Sequence, residues 1–215
     1  MNKKELAKCL EFRALEPIGK ERVAEIIGTA NKLSLASVSF NPKYAEFAKE
    51  CITDEDSKVK LNIVVGYPLG ENTQEIKTME AVMAAQAGAD EISVVTSHSA
   101  VIANNMEYVE EELKRIVDCV EVPVCAIMDN NLLNEEQMIR LCEACVNSGI
   151  TTVQIGTGYN QSTITQELVK SIADVVAGVC ELKVALDIQT VDELYDMACA
   201  GATMISTKEV EKILK

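Results

Sequence analysis

The sequence contains no tryptophan, and aromatic residues make up only 4% of its 215 residues. Proteins that bind single-stranded nucleic acids use aromatic side chains as stacking platforms, so such a site is not expected. Positive charge is also scarce, because 20 Lys and Arg residues face 34 Asp and Glu residues, giving a formal net charge of −14. Nucleic-acid phosphates need clustered Lys and Arg. The composition therefore argues against a nucleic-acid partner.

Long apolar runs are missing as well. No stretch of about 18 apolar residues, the length that a membrane-spanning helix needs, occurs in the sequence. The first residues, MNKKELAKCLEF, are charged and lack the apolar segment of a secretory signal. We therefore expect no membrane partner and a cytoplasmic protein.

The eight cysteines do not form a metal-binding pattern. Cys142 and Cys145 make a CxxC, but a structural zinc site needs a second pair of ligands, and none has suitable spacing. The two cysteines share one face of a predicted helix with Met138 and Leu141, which is typical of a helix that faces the core. We predict core cysteines, no metal site and no cofactor.

Short β-branched runs alternate with amphipathic helical segments along the whole chain. The predicted strands are Leu10–Arg13, Ala36–Phe40, Lys60–Gly66, Glu91–Thr96, Val122–Met128, Thr151–Gly156, Leu182–Leu186 and Thr203–Ser206. Eight such units without a linker predict an α/β fold, one closed (β/α)8 TIM barrel over residues 1–215. An open doubly wound sheet is the alternative, but FRALEPIGKE supplies no glycine-rich turn after the first strand. In a barrel, function sits at the carboxyl ends of the strands.

One motif is more specific than the pattern. VVGYPLGENT, together with ASVSFNPKY, GADEISVV, VPVCAIMDNNLLNEEQ, GTG and GAT in that order, resembles the deoxyribose-phosphate aldolase family over essentially the whole chain. The resemblance implies a (β/α)8 barrel and a class I aldolase, which joins or splits acetaldehyde and glyceraldehyde 3-phosphate through a lysine Schiff base. It also makes a homo-oligomer plausible.

The residues that the resemblance marks as catalytic have largely changed. Gln154 stands where the family has its Schiff-base lysine, and a glutamine amide cannot form an imine. Ser93 replaces the proton-handling aspartate of the fourth strand, and Cys125 replaces a lysine of the fifth. The seventh-strand lysine, which lowers the pKa of the nucleophile in the family, is kept as Lys183.

The first strand and the phosphate end depart from the family too. The first-strand motif reads Glu11 and Arg13, and a forked guanidinium could hold a carboxylate or phosphate, or pair with Glu11 or Asp187. The family binds phosphate through a Gly-Gly after the seventh strand, where this chain has Asp187, and through small residues after the eighth, where it has Lys208. We expect a weakened phosphate site and assign substrate binding to this end, including Gly158 of the GTG turn.

Lys183 has two interpretations. It is the inward-facing amine that can be placed in mid-barrel, beside Gln154, and burial would lower its pKa and favour an imine-forming amine. Alternatively, it is inert and held in a salt bridge with Glu181, Glu11 or Asp129.

Three further residues have a structural and a catalytic interpretation. Asp129 closes the fifth strand as an acid/base group or as a strand-end cap, and we favour the cap. His98, the only histidine, lies in a loop at the catalytic face, and we favour a solvated side chain. Cys125 could be a nucleophile if a base were near, but nothing in the sequence supplies one, so we place it in the core.

Three functions follow from these residues. The first is aldehyde-lyase chemistry on a small aldehyde or sugar, with Lys183 as the reactive amine. The second is a catalytically inactive member that binds a small molecule or a protein. The third is a different barrel reaction that uses Asp129, Arg13 and Cys125 without an imine.

Overall fold

Eight parallel strands and the helices between them account for most of the computed structural model, which describes residues 3–160 and 163–214. The strands are β1 Leu10–Ala14, β2 Ser37–Phe40, β3 Lys60–Val65, β4 Glu91–Val95, β5 Val124–Met128, β6 Thr152–Ile155, β7 Glu181–Ala185 and β8 Met204–Thr207. Each strand pairs with the next, and β8 closes the sheet on β1. The predicted (β/α)8 barrel is confirmed.

The helices lie between and around the strands. They are α1 Lys3–Ala7, α2 Lys20–Leu33, α3 Ala45–Asp54, α4 Gln74–Gln86, α5 His98–Ile102, α6 Met106–Cys119, α7 Glu135–Asn147, α8 Gln166–Val176, α9 Val191–Cys199 and α10 Val210–Ile213. Two of them begin at capping boxes, Asn134 with Gln137 and Thr190 with Glu193, in which each side chain accepts a backbone N–H of the other residue. Such caps fix where the chain turns from a loop into a helix.

The predicted strand bounds differ from the observed ones by one or two residues. The sixth strand ends at Ile155 because Gly156 has a φ of +85°, a left-handed conformation that breaks the extended run. The fifth begins at Val124, directly after Pro123, which has no N–H to donate to a neighbouring strand.

Most of the apolar core lies between the barrel and the helices. Outward-facing strand residues such as Phe12, Phe40, Ile63 and Ile92 are buried against the helices. Cys142 and Cys145 of α7 are also fully buried, as predicted. The alternate strand positions point into the barrel, and many of them are polar.

Within the described residues, no helix is both long and apolar enough to cross a membrane.

Candidate functional site

A cluster of hydrogen-bonded polar side chains fills the middle of the barrel. It is called here the central polar cluster and consists of Glu11, Ser37, Asn62, Glu91, Ser93, Lys183 and Ser206. The Glu11 carboxylate lies at its centre and accepts hydrogen bonds from Ser37 Oγ at 3.0 Å, Asn62 Nδ2 at 3.0 Å and Ser206 Oγ at 2.8 Å. Buried charges require such partners.

Lys183 is the cation of this cluster. Its Nζ donates to Glu91 Oε1 at 2.6 Å and to Glu11 Oε2 at 3.0 Å, and the residue is only 1% exposed. Burial disfavours its charged form, but the two carboxylates outweigh burial and raise the pKa of Lys183. Burial raises the pKa of Glu11, but the Lys183 charge and the hydrogen bonds from Asn62 and Ser206 outweigh it and lower the pKa to about 2. The predicted low pKa of Lys183 is therefore wrong.

The second interpretation, in which Lys183 is held in a salt bridge, agrees with the structure, but only one of the three suggested partners is correct. Glu11 is one of them, whereas Glu181 and Asp129 are not, and Glu91 was not foreseen. The signal for Glu91 was present in EISVV, because alternation puts it on the same face as Ser93.

Gln154 lies next to Lys183 in the register of β6 and β7, as predicted. Its amide Nε2 donates to the Gly156 carbonyl at 2.8 Å, and the residue is buried. The position that holds an amine in the resembled family is thus taken by a side chain that hydrogen-bonds its own strand end.

Ser93 and Cys125 lie opposite each other on β4 and β5. Ser93 Oγ donates to Asn62 Oδ1 at 2.9 Å, so it belongs to the central polar cluster. Its hydroxyl group cannot accept and release protons as the carboxylate of the family does. Burial raises the pKa of the Cys125 thiol to about 12, which makes a thiolate nucleophile unavailable near neutral pH. The core interpretation of Cys125 fits this environment.

An apolar layer lies above the central polar cluster on one side of the barrel. Val64, Val95 and Ile127, the next inward residues of β3, β4 and β5 toward the carboxyl end, pack with Leu15, and Tyr67 covers them. This layer separates the cluster from the mouth on that side.

A cavity of about 630 Å³ opens at the carboxyl ends of β1, β6, β7 and β8. It is called the mouth pocket and is lined by Arg13, Gly158, Tyr159, Asn160, Thr163, Ala185, Leu186, Asp187 and Lys208. Arg13 is 2% exposed, and its Nη2 donates to Asp187 Oδ1 at 2.6 Å. Of the alternatives left open for Arg13, the structure shows the pairing with Asp187 and not the one with Glu11.

Gly158 has a specific reason to be glycine. Its φ is +68°, and a Cβ built there would lie 2.4 Å from Arg13 Nε and Cζ. Gly158 therefore leaves room for the guanidinium against the loop after β6. Across the mouth, the rings of Tyr67 and Tyr159 meet edge to face, with centroids 6.0 Å apart.

Asp129 and His98 form a separate arrangement at the end of β5. Asp129 Oδ1 accepts from the Asn131 N–H at 2.9 Å, and Oδ2 accepts from Thr157 Oγ1 at 3.2 Å, so the carboxylate caps the strand end. The Asp129 N–H donates to His98 Nε2 at 3.1 Å, which leaves Nδ1–H to donate to the Leu69 carbonyl at 2.9 Å. His98 is buried, so the solvated interpretation is wrong; burial lowers its pKa and favours neutral imidazole.

A second buried ion pair, not predicted from the sequence, joins α4 and α6. Lys77 Nζ lies 2.6 Å from Glu112 Oε1 and donates to the carbonyls of Gly70 at 2.7 Å and Val95 at 3.1 Å. The other Glu112 oxygen accepts from the Ser97 N–H at 3.2 Å. Both side chains are fully buried, and burial lowers the pKa of Lys77 and raises that of Glu112. The pair anchors the loops after β3 and β4.

The signal for this pair was helical periodicity. Lys77 is spaced four and seven residues from Ala81 and Ala84, which are buried on the inner face of α4.

The predicted site residues thus fall into three groups rather than one site. Glu11, Ser93 and Lys183 share the central polar cluster, with Gln154 and Cys125 beside it. The second group, Arg13, Gly158 and Asp187, lines the mouth pocket. The third group is Asp129 with His98. In residues 3–160 and 163–214, no three His, Cys, Asp or Glu side chains are arranged to hold a metal ion.

Comparisons with known proteins identify the family of this chain. No protein-family model matches the chain. A deoxyribose-phosphate aldolase of Clostridium kluyveri is 35% identical over 217 aligned residues, which cover 100% of this chain and 99% of the relative. The chain belongs to the deoxyribose-phosphate aldolase family. The same aldolase of Caldicellulosiruptor saccharolyticus is 34% identical, with 96% of each chain covered. The aldolase interpretation of the sequence is confirmed at the level of the family.

Solved structures agree with this deoxyribose-phosphate aldolase fold. An aldolase named QR15 superposes with a TM-score of 0.91 at 28% identity and covers 97% of this chain and 94% of its own. The deoxyribose phosphate aldolase of Aeropyrum pernix, described as tetrameric, superposes with a TM-score of 0.90 at 23% identity, over 99% of this chain and 91% of its own.

Proposed function

We propose that this protein is a carbon–carbon lyase of the aldolase type that acts on a small aldehyde or sugar at the mouth of its barrel. The observation that carries the proposal is the similarity to deoxyribose-phosphate aldolases over the whole chain. The mouth pocket supports it, since a cavity of about 630 Å³ at the carboxyl ends of the strands suits a small polar substrate.

If the reaction passes through an imine, Lys183 is the amine that supplies it. Among the described residues, Lys183 is the lysine whose amine is buried inside the barrel, and it lies beside Gln154. A neutral amine must add to the aldehyde carbon, and water must leave, before the imine forms. Lys183 would therefore first give its proton to Glu11 or Glu91 and leave their ion pairs.

Two observations favour a second function, a barrel that binds a small aldehyde or sugar without cleaving it. Lys183 is paired with two carboxylates and its pKa is raised, while Gln154 occupies the place of the family amine. Both features oppose imine formation.

Borohydride trapping separates the two functions. The protein is incubated with acetaldehyde, reduced and mapped by peptide mass spectrometry, while cleavage of small sugars and their phosphates is assayed in parallel. Lys183→Arg is the matched variant, because it keeps a positive charge between the carboxylates but has no imine-forming amine. The exposed Lys114 and Lys170 give the background labelling rate.

An adduct at Lys183 above that background, absent from Lys183→Arg together with cleavage, is the result expected of the aldolase. Binding of an aldehyde with neither adduct nor cleavage would assign the second function. Cleavage without an adduct would keep the lyase and reject the imine.

Two coarser expectations remain predictions. The homo-oligomer implied by the resemblance is tested by light scattering over a range of protein concentrations, and the cytoplasmic location by cell fractionation.

A further inference from the structure

The Asp187 carboxylate occupies the cationic part of the mouth pocket. Its Oδ1 accepts from Arg13 Nη2 at 2.6 Å and from the backbone N–H of Lys208 at 3.2 Å. A guanidinium fork and a backbone amide at the end of a strand are the donors with which proteins hold anions. Here a side chain of the chain itself takes those bonds.

The charges around this contact balance. Arg13 is paired with Asp187, and Lys208 Nζ lies 3.5 Å from Glu16 Oε2. Two cations therefore face two carboxylates, and no net positive charge is left for an incoming anion. Arg13 Nη1 is also taken, by the Ser206 carbonyl at 2.5 Å.

Hydrogen-bonding capacity nevertheless remains for an uncharged ligand. Asp187, with a side chain that is 44% exposed, has a second oxygen that can accept from a hydroxyl group. An alcohol, which donates a hydrogen bond and carries no charge, fits this acceptor.

We propose that Asp187 is a built-in anion that makes the mouth pocket select substrates ending in an uncharged hydroxyl rather than a phosphate. The inference rests on the proposed function and names its substrate class. A phosphate would either lie against Asp187, at the cost of like-charge repulsion, or displace it from Arg13 and from the Lys208 N–H. A hydroxyl group carries no charge, so it binds without repulsion from Asp187 and without displacing it.

Binding measurements on the intact protein test this without any turnover. Inorganic phosphate, D-glyceraldehyde and its 3-phosphate are titrated by calorimetry into the wild type, Asp187→Asn and Asp187→Ala. The Asn variant keeps an acceptor for Arg13 and removes the charge, and the Ala variant also removes the acceptor. Asp192→Asn is the matched control, since it neutralises an exposed acid of α9 outside the pocket.

We expect at least tenfold tighter binding of phosphate and of the 3-phosphate to Asp187→Asn than to the wild type, with Asp192→Asn within twofold of the wild type. The wild type should bind D-glyceraldehyde at least as tightly as its 3-phosphate. The inference is overturned if both Asp187 variants bind phosphate no better than the wild type, or if the wild type prefers the 3-phosphate by tenfold.

This outcome is distinct from that of the proposed function. A gain of phosphate binding in a protein that cleaves nothing would reject the lyase and keep the selectivity of the pocket. Cleavage of an aldehyde without any gain would reject the role of Asp187 alone.

Discussion

Replacing Lys183 with Met tests whether the barrel interior depends on a buried ion pair. Met is unbranched and similar in length, so it fills the space without the charge. The Glu11 carboxylate would keep its bonds to Ser37, Asn62 and Ser206 but lose its cation, in a site where it is 1% exposed. Glu91 is less affected, because 19% of its side chain is exposed.

The structure gives the size and the direction of the effect. Removing one partner of a buried ion pair costs about 3–5 kcal/mol of unfolding free energy. The lowered pKa of Glu11 has the matching direction, because the Lys183 charge together with the hydrogen bonds from Asn62 and Ser206 outweighs burial. For a chain of this size we expect a melting temperature lower by about 6–20 °C.

The pH dependence has opposite signs in the two proteins. The wild-type pair stabilises the fold above pH 4.5 and loses this contribution as the pH falls toward 2, because the unfolded chain then binds the proton more readily. In Lys183→Met the buried Glu11 has no cation, so it binds a proton more readily in the folded protein than in the unfolded chain. Protonation at low pH removes the unpaired charge and raises the unfolding free energy of this variant. The difference in stability between the two proteins should therefore shrink as the pH falls from about 7 to 4.

Urea unfolding followed by circular dichroism over this pH range measures both quantities. Lys170→Met is the control, because its ion pair with Asp174 is 68% exposed on both sides and should be worth less than about 1 kcal/mol. A loss below about 1 kcal/mol in Lys183→Met, or a difference that does not shrink in acid, would refute the buried pair.

Three further predictions concern single positions. Gln154→Lys places an amine beside the Lys183 cation, which lowers the pKa of the new amine, so acetaldehyde and borohydride should label position 154 in this variant and not in Gln154→Met. Gly158→Ala should cost more than about 2 kcal/mol in urea unfolding, because its Cβ would meet Arg13 at 2.4 Å, whereas Gly178→Ala, with nothing within 4 Å, should cost only about 1 kcal/mol for its positive φ. His98 has a pKa below 6.5 in the fold, so the wild type should lose stability relative to His98→Gln as the pH falls below 6.5, and equal slopes would argue against a buried neutral imidazole.

The fold could be predicted almost fully from the sequence, because its determinants are local. Each β-branched run became a strand, and the errors at Pro123 and Gly156 are single-residue effects at strand ends. Strand parity also placed Lys183 and Gln154 side by side, because alternation along a strand fixes the face on which a side chain lies.

The site was predicted less well, because its contacts join distant parts of the chain. Parity puts Lys183 inside the barrel but does not say that its amine reaches Glu91 and Glu11, which are 92 and 172 residues away. For that reason the pKa of Lys183 is shifted in the direction opposite to the one that burial alone predicts. His98 was misjudged in the same way, since its partners Leu69 and Asp129 come from two other loops.

The buried contacts around Lys77 have a consequence for motion at the rim of the barrel. Lys77 of α4 donates hydrogen bonds to the carbonyls of Gly70 and Val95. Glu112 accepts a hydrogen bond from the Ser97 N–H, and His98 donates one to the Leu69 carbonyl. Parting these loops would leave the buried charges of Lys77 and Glu112 without their partners, so we expect the loops to move together and their amide protons to show similar exchange protection.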